Sequence, residues 1–298
     1  MLSILIPIYD YNAFPLVSEL HRQCVKCNLE FEILCQDDAS VLFLDQNNEI
    51  NNLENCFFST NETNFGKSKN INQIVVKAKF DWLLLLDCDT FPESSNFISN
   101  YLNEIQKKEN KAVFGGLLYE SKQPQKEQLL RWIYGRNRES LSIEKRKQNP
   151  NKSALTSNLI LKKELLLQHP FDQTITKYGY EDLCFLSKLE ANKIIVSHIE
   201  NPVFHLNLET SIVFLKKTQT ALENLVLLYN SNKITAESSK IISCFVILKK
   251  LKLTGLTAFL FQKTKTKIEA NLLSQKPSLF LFDLYKLGFF CTLTQIKQ

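Results

Sequence analysis

Three acidic pairs and one histidine are the side chains whose types and spacing could do chemistry here: Asp37-Asp38, Asp87-Cys88-Asp89, Glu181-Asp182 and His205. The second pair follows Trp82-Leu83-Leu84-Leu85-Leu86, an apolar run with no polar alternation. Such a run predicts a strand covered on both faces of a parallel or mixed sheet. Open α/β sheets collect ligands at the carboxyl ends of such strands, where loops vary while strands hold them rigid. A strand ending in Asp-Cys-Asp therefore carries two anionic oxygen ligands to that edge, and Phe31 to Asp38 repeats the pattern. A second reading stays open: Thr90-Phe91-Pro92-Glu93 has the composition of a helix start, which the aspartates would cap.

Glu181-Asp182 stand where a glycine turn meets a helix predicted from Leu183 to Ala191. The helix dipole favours carboxylates there with or without chemistry. His205 follows the apolar pair Val203-Phe204, and a lone histidine so placed is more often structural than metal-binding.

The seven glycines lie at positions 66, 115, 116, 135, 179, 255 and 288, so the first βα turn has none. Dinucleotide fingerprints and P-loops need glycine there, because the backbone must approach phosphate closely. Both are excluded, and with them most dehydrogenases and NTPases. Binding through strand-end carboxylates instead suggests a diphosphate bridged by a metal.

The elements that must position these groups alternate. A first strand, Leu2 to Tyr9, is ended by Pro7 and followed by an amphipathic helix from Ala13 to Cys27. Further strands are expected at Phe31–Asp38, Phe57-Phe58, Ala112–Leu118, Thr156–Leu161 and Ile194–Ile199, with a helix at Lys67–Lys79. This spacing predicts a parallel α/β sheet with right-handed crossovers. Gln123 to Asn149, with Arg131-Trp132 and Arg136-Asn137-Arg138-Glu139, is either an insertion that touches a substrate or a solvated helix anchored by its tryptophan.

A chain of 298 residues, 44% hydrophobic, can bury a sizeable core. No window of about 18 apolar residues is free of charge, which speaks against a membrane span, and Met1 to Ile8 reads as a strand rather than a signal peptide. The eight cysteines are scattered, several in apolar runs, as expected of reduced thiols in a cytosolic protein. Cys24-Val25-Lys26-Cys27 is a CxxC with no second pair or nearby histidine to make a metal site.

The net charge of +5 is uneven: from Lys240 onward ten lysines face only Glu269 and Asp283, giving the tail +8 and leaving −3 elsewhere. Ile241 to Phe261 is apolar and lysine-flanked, and Leu279 to Phe290 is similar. Such stretches suit a membrane interface, or equally a small helical subdomain packed on itself. Ser231 to Ser239 is polar and turn-like, so domains are expected at 1–230 and 240–298.

In order and spacing, Ser3-Ile4-Leu5-Ile6-Pro7-Ile8-Tyr9, Asp37-Asp38-Ala39-Ser40, Asn64-Phe65-Gly66, Asp87-Cys88-Asp89 and Tyr178-Gly179-Tyr180-Glu181-Asp182 resemble the motifs of family 2 glycosyltransferases of the GT-A fold. Phe171-Asp172 through His205 resembles the galactosyltransferase-type C-terminal segment of chondroitin-polymerase-like enzymes. The resemblance implies an α/β, Rossmann-like GT-A domain with a mixed sheet and a small C-terminal helical extension. It implies an inverting, metal-dependent transferase that uses a nucleotide-sugar donor, a UDP-sugar above others, and a glycan or glycolipid acceptor in surface polysaccharide synthesis. No nucleic acid is expected as a partner. The expected location is cytoplasmic, with peripheral attachment to the inner face of the membrane.

Carried over residue by residue, the resemblance places Pro7, Tyr9 and Asp38 beside the nucleobase, with Asp37 supporting the turn. Asn64 and Lys67 lie near the nucleotide and Asp87 faces the ribose or donor sugar. Asp89 and His205 are the implied ligands of Mn²⁺ or Mg²⁺, Asp182 the implied base, and Glu181 the grip on the acceptor. Asp10, Ala39 and Lys67-Lys69-Asn70 depart from the usual motifs and leave the donor sugar open. Rival readings are a sugar nucleotidyltransferase, which lacks here its glycine-rich basic loop, and a non-catalytic nucleotide-sugar-binding protein.

Overall fold

The computed structural model describes residues 1–107, 110–175 and 178–296. The chain divides into two compact units, of which the first comprises Met1–Glu120, Glu139–Thr176 and Phe185–Asn207. Its strands are β1 (Leu2–Ile8), β2 (Phe31–Asp37), β3 (Cys56–Thr60), β4 (Trp82–Leu86), β5 (Thr90–Pro92), β6 (Ala112–Phe114), β7 (Leu117–Leu118), β8 (Asn158–Lys162), β9 (Ser197–His198) and β10 (Val203–His205).

Seven of them form one sheet in the order β3-β2-β1-β4-β8-β6-β9. β1 to β4 run parallel, whereas β8 is antiparallel to both β4 and β6, so the sheet is mixed, as the resemblance implies and the strand–helix alternation alone does not. A long excursion, not a single crossover helix, leads into β8 and lets it return in the opposite direction. Ile4, Leu5 and Ile6 of β1 and Leu83 to Leu86 of β4 are almost wholly buried, as an apolar run without alternation requires. Helix Phe14–Lys26 covers the sheet with Leu16, Val17, Leu20 and Cys24, and Pro15 lies in its first turn, where no N–H is needed. Helix Lys67–Lys77 adds Ile71, Ile74 and Val75.

Pro7 does not end the first strand; it sits within β1 opposite Gln36. The pairing of β1 with β4 stops at Leu5↔Leu85, so a residue without an N–H is tolerated there. The run Ala112–Leu118 is two strands in different sheets, broken at Gly115-Gly116. At Gly115 a methyl group would lie 2.3 Å from the Asn201 carbonyl oxygen and 2.4 Å from the Tyr101 hydroxyl. The same spot is knit by Asn158, whose amide donates to Gly116 O and Asn201 O at 2.9 Å and whose Oδ1 accepts from Tyr101 at 2.7 Å. Gly115→Ala is expected to cost about 1–3 kcal/mol through overpacking, read as a lower urea midpoint with an unchanged slope.

The other three strands make a small sheet in the order β5-β10-β7. Thr90–Pro92 is thus a strand, and the helix expected to start there begins only at Phe97. β10 is the central strand and pairs Phe204 with Phe91 and His205 with Thr90. Between Ile194 and Ile199 only Ser197 and His198 are in a strand, beside β6.

The second unit comprises Ser121–Arg138, Lys177–Cys184 and Leu208–Gln298. Its helices are Leu129–Tyr134, Ser211–Asn230, Lys240–Lys250, Thr254–Leu272 and Leu279–Ile296. Thr210 caps the second, accepting from Val213 N. Leu130, Leu215, Phe261, Leu272, Phe282 and Tyr285 form its core. Tyr285, deep in that core, donates to Glu269 and accepts from Gln219, so its hydroxyl is satisfied. Leu279–Phe290, for which a membrane interface and a packed subdomain were both open, turns Phe282, Tyr285 and Phe290 inward. Among the described residues no helix is long and apolar enough to cross a membrane.

Candidate active site

Asp37 and Asp38 stand at the end of β2 and are almost fully buried. Asp37 accepts from the amide and hydroxyl of Ser40, closing a tight turn. Ala39 in that turn has φ 60, which explains why glycine suits the position. Asp38 accepts from Asn61 Nδ2 at 2.9 Å, Phe65 N at 2.8 Å and Gly66 N at 2.7 Å. Most of its lone-pair capacity thus goes into shaping the Asn64–Gly66 loop. Asp10 is explained likewise: its Oδ1 accepts from Val41 N and Leu42 N, tying the β1 and β2 loops together.

Pro7 is half-buried near the end of β1, and Tyr9 and Asn64 are exposed beyond their strands. Lys67 opens its helix, and its ammonium lies 3.0 Å from an Asp87 carboxylate oxygen at the end of β4.

The small sheet explains the next contact. β4 delivers Asp89 to the start of β5, β10 carries His205 opposite Thr90, and Leu206 N donates to Asp89 O at 2.8 Å. His205 Nε2 then stands 3.4 Å from Asp89 Oδ2. That exceeds an ordinary hydrogen bond. It is close to the spacing of about 3 Å between two donors held at right angles, each about 2.1 Å from one cation. The imidazole is stacked on Tyr119 at 5.3 Å, and Tyr119 donates to Glu139. Among the described residues the buried His205 Nδ1 has no hydrogen-bond partner, so stacking on Tyr119 orients the ring.

Around Asp89 the field is negative. Burial, then Asp89 and Cys88, push the Tyr11 phenol up. Burial, then Asp89 and Asp87, push the Cys88 thiol up, so it stays neutral and adds no charge of its own. A cation would relieve that field. Among the described residues no group of three or more His, Cys, Asp or Glu side chains is placed to hold a metal. Asp89 and His205 therefore fit a cation only as part of its shell, with phosphate oxygens supplying others.

Glu181 and Asp182 form the first turn of helix Glu181–Ala191 and begin in the second unit. Gly179 and Tyr180 before them have φ 103 and 71. Both Glu181 oxygens accept from Gly179 N, at 2.9 and 3.0 Å. Asn224 donates to Gly179 O at 2.6 Å, and a methyl group on Gly179 would meet Ala221 at 2.5 Å. A left-handed turn pressed against a helix leaves room only for glycine.

A model of the family described as "Glycosyl transferase family 2" matches residues 3–167. The chain belongs to glycosyl transferase family 2. Solved structures similar to this family 2 glycosyltransferase agree on the GT-A fold. One is the mannosyltransferase PcManGT from Pyrobaculum calidifontis in complex with GDP-Man and Mn2+, with 11% identity, TM-score 0.56, and 99% of this chain and 86% of that one covered. Another is mannosyl-3-phosphoglycerate synthase from Rubrobacter xylanophilus, with 13% identity, TM-score 0.54, and coverage of 79% and 76%. S. aureus TarS 1-349 has 18% identity and TM-score 0.50, with 76% of this chain covered and 65% of that one, just under two thirds of its length. No curated protein matches the chain.

The family match stops short of Phe171 to His205, the segment resembling chondroitin-polymerase-like enzymes. Within this glycosyltransferase, Asp89 meets His205 and Asp87 meets Lys67, as side chains that sequence reading singled out. Tyr119 was missed, since a tyrosine three residues past a glycine pair carries no signal that a histidine far downstream will stack on it, and Glu139 was read only as part of the Gln123–Asn149 segment.

Proposed function

We propose that this family 2 glycosyltransferase moves a sugar, with inversion, from a nucleoside-diphosphate donor to a hydroxyl of a glycan or lipid-linked acceptor. Its place would be surface polysaccharide synthesis at the inner face of the cytoplasmic membrane. The observation that carries the reading is the Asp89–His205 pair, 3.4 Å apart beside the strand-end carboxylates. Asp89 and His205 would hold Mn²⁺ or Mg²⁺. When bound, the ion would neutralise charge gathering on the leaving diphosphate. The Mn²⁺ and GDP-Man in the PcManGT complex and UDP-GlcNAc in a TarS complex support a cation and a nucleotide-sugar donor.

The chain's own residues do the rest. Pro7, Tyr9, Asp38 and Asn64 border the nucleobase side, while Asp37 and Asp38 fix the loops on which contacts depend. Lys67, now paired with Asp87, supplies positive charge to the nucleotide, and Asp87 faces the ribose or donor sugar. Asp182 takes the proton of the acceptor hydroxyl as it attacks, and Glu181 grips the acceptor. A carboxylate base that never bonds to the sugar gives a single displacement and an inverted anomeric centre.

The test is a panel of UDP- and GDP-sugars with Mn²⁺ or Mg²⁺ and a set of saccharide acceptors. Nucleoside diphosphate release that chelator abolishes is expected, with the product anomer, read by NMR, opposite to the donor's. Pyrophosphate release from a nucleoside triphosphate and a sugar 1-phosphate, supplied in a parallel reaction, would point to a nucleotidyltransferase, and no release in either reaction to a binding protein.

A further inference from the structure

Helix Thr254–Leu272 is apolar on two opposite faces. Ala258, Phe261 and Leu272 are buried, and Phe261 packs against Gly288 and Tyr285. Leu256, Phe259 and Leu260 project from the other side and are more than half exposed, at 53, 55 and 52%. The first turns of this helix carry apolar side chains on both sides and need cover on both, and among the described residues one side is covered.

The preceding helix, Lys240–Lys250, behaves alike. Ile242 and Phe245 are buried, whereas Ile247 and the following Leu251 are exposed. Leu251, Lys252 and Leu253 join the two helices in a tight turn, Lys252 at φ 58 with its amide bonded to Lys249 O. One corner of the unit thus presents Ile247, Leu251, Leu253, Leu256, Phe259 and Leu260.

Charge says what covers it. Between Lys240 and Ile268 there are seven lysines and no acidic residue. Lys249, Lys250 and Lys252 flank the corner and Lys263 and Lys267 lie further along the exposed face, all of them exposed. We infer that this corner docks on an anionic lipid surface, its leucines and phenylalanine in the acyl boundary and its lysines among the headgroups. An apolar wedge ringed by cations with no anion suits a bilayer. A second copy of the chain would set these lysines against one another.

Vesicle sedimentation of the full chain tests this, with pure phosphatidylcholine and with an equal mixture of phosphatidylcholine and phosphatidylglycerol. Binding is expected only to the mixture, and it weakens as salt shortens the Debye length. The combined change Leu256→Ser, Phe259→Ser and Leu260→Ser, all at exposed positions, weakens it at least about tenfold. Lys249→Gln with Lys250→Gln and Lys252→Gln removes the preference for anionic lipid. Circular dichroism and diphosphate release with a soluble acceptor stay unchanged in both variants. Absence of vesicle binding, binding untouched by these changes, or a dimer that dissociates in the serine variant would each overturn the inference. Donor cleavage without vesicle binding would sink the lipid surface alone, and vesicle binding without cleavage the transferase reading alone.

Discussion

Asp182→Asn is expected to lower sugar transfer by about 10²–10⁴, the usual contribution of a positioned general base. In barrier height that is about 3–5 kcal/mol. Asparagine keeps the size of the side chain and its place in the first turn of helix Glu181–Ala191, so folding should be preserved and the donor KM little altered. Steady-state kinetics with saturating donor would show the loss in kcat. Circular dichroism and the melting temperature would separate it from unfolding. If transfer stays within about tenfold of the parent rate, the proton leaves by another route and Asp182 is a capping residue.

The second large effect is expected at the strand pair. Asp89→Asn removes the carboxylate charge beside His205 while leaving the backbone bond from Leu206 N to Asp89 O intact. Nucleoside diphosphate release should fall by more than about 10². Half-saturation should need at least ten to about a hundred times more Mn²⁺, a span that even outer-sphere changes reach in metal sites. His205→Gln should act in the same direction. Calorimetric titration of Mn²⁺ in the presence of nucleoside diphosphate reads the affinity without relying on turnover. Unchanged titration curves in both variants would remove the cation from this place.

Much of this was legible because it is local. Trp82 to Leu86 reads as a doubly covered strand from composition alone, and so it is. The absence of glycine after β1 directs attention from helix N-termini to carboxylates, and of these Asp37 and Asp38 prove to hold the turn at Ser40 and the loop at Gly66. What escaped depends on partners distant in sequence. Thr90-Phe91-Pro92 has the makings of a helix start, and only the edge offered by Val203-Phe204-His205 makes it a strand. Ala112 to Leu118 is apolar throughout, so nothing periodic marks the break at Gly115-Gly116; crowding by Asn201, Tyr101 and Asn158 does. The tail has two apolar stretches that look alike in sequence, yet Leu279–Ile296 is buried at Phe282, Tyr285 and Phe290 while Leu256, Phe259 and Leu260 face outward. Hydrophobicity sets how much surface a segment must hide, not which neighbour hides it.

Register, in the three-stranded sheet, has a developmental meaning for the molecule. Asp89 precedes β5 directly and His205 closes β10, so the two meet only after the chain has been made well past its two-hundredth residue and the strands have paired. A growing or truncated chain carries the first donor without the second. A cation held by this pair, as proposed, would therefore be among the last things the protein acquires, and its binding would report that β5 and β10 have paired.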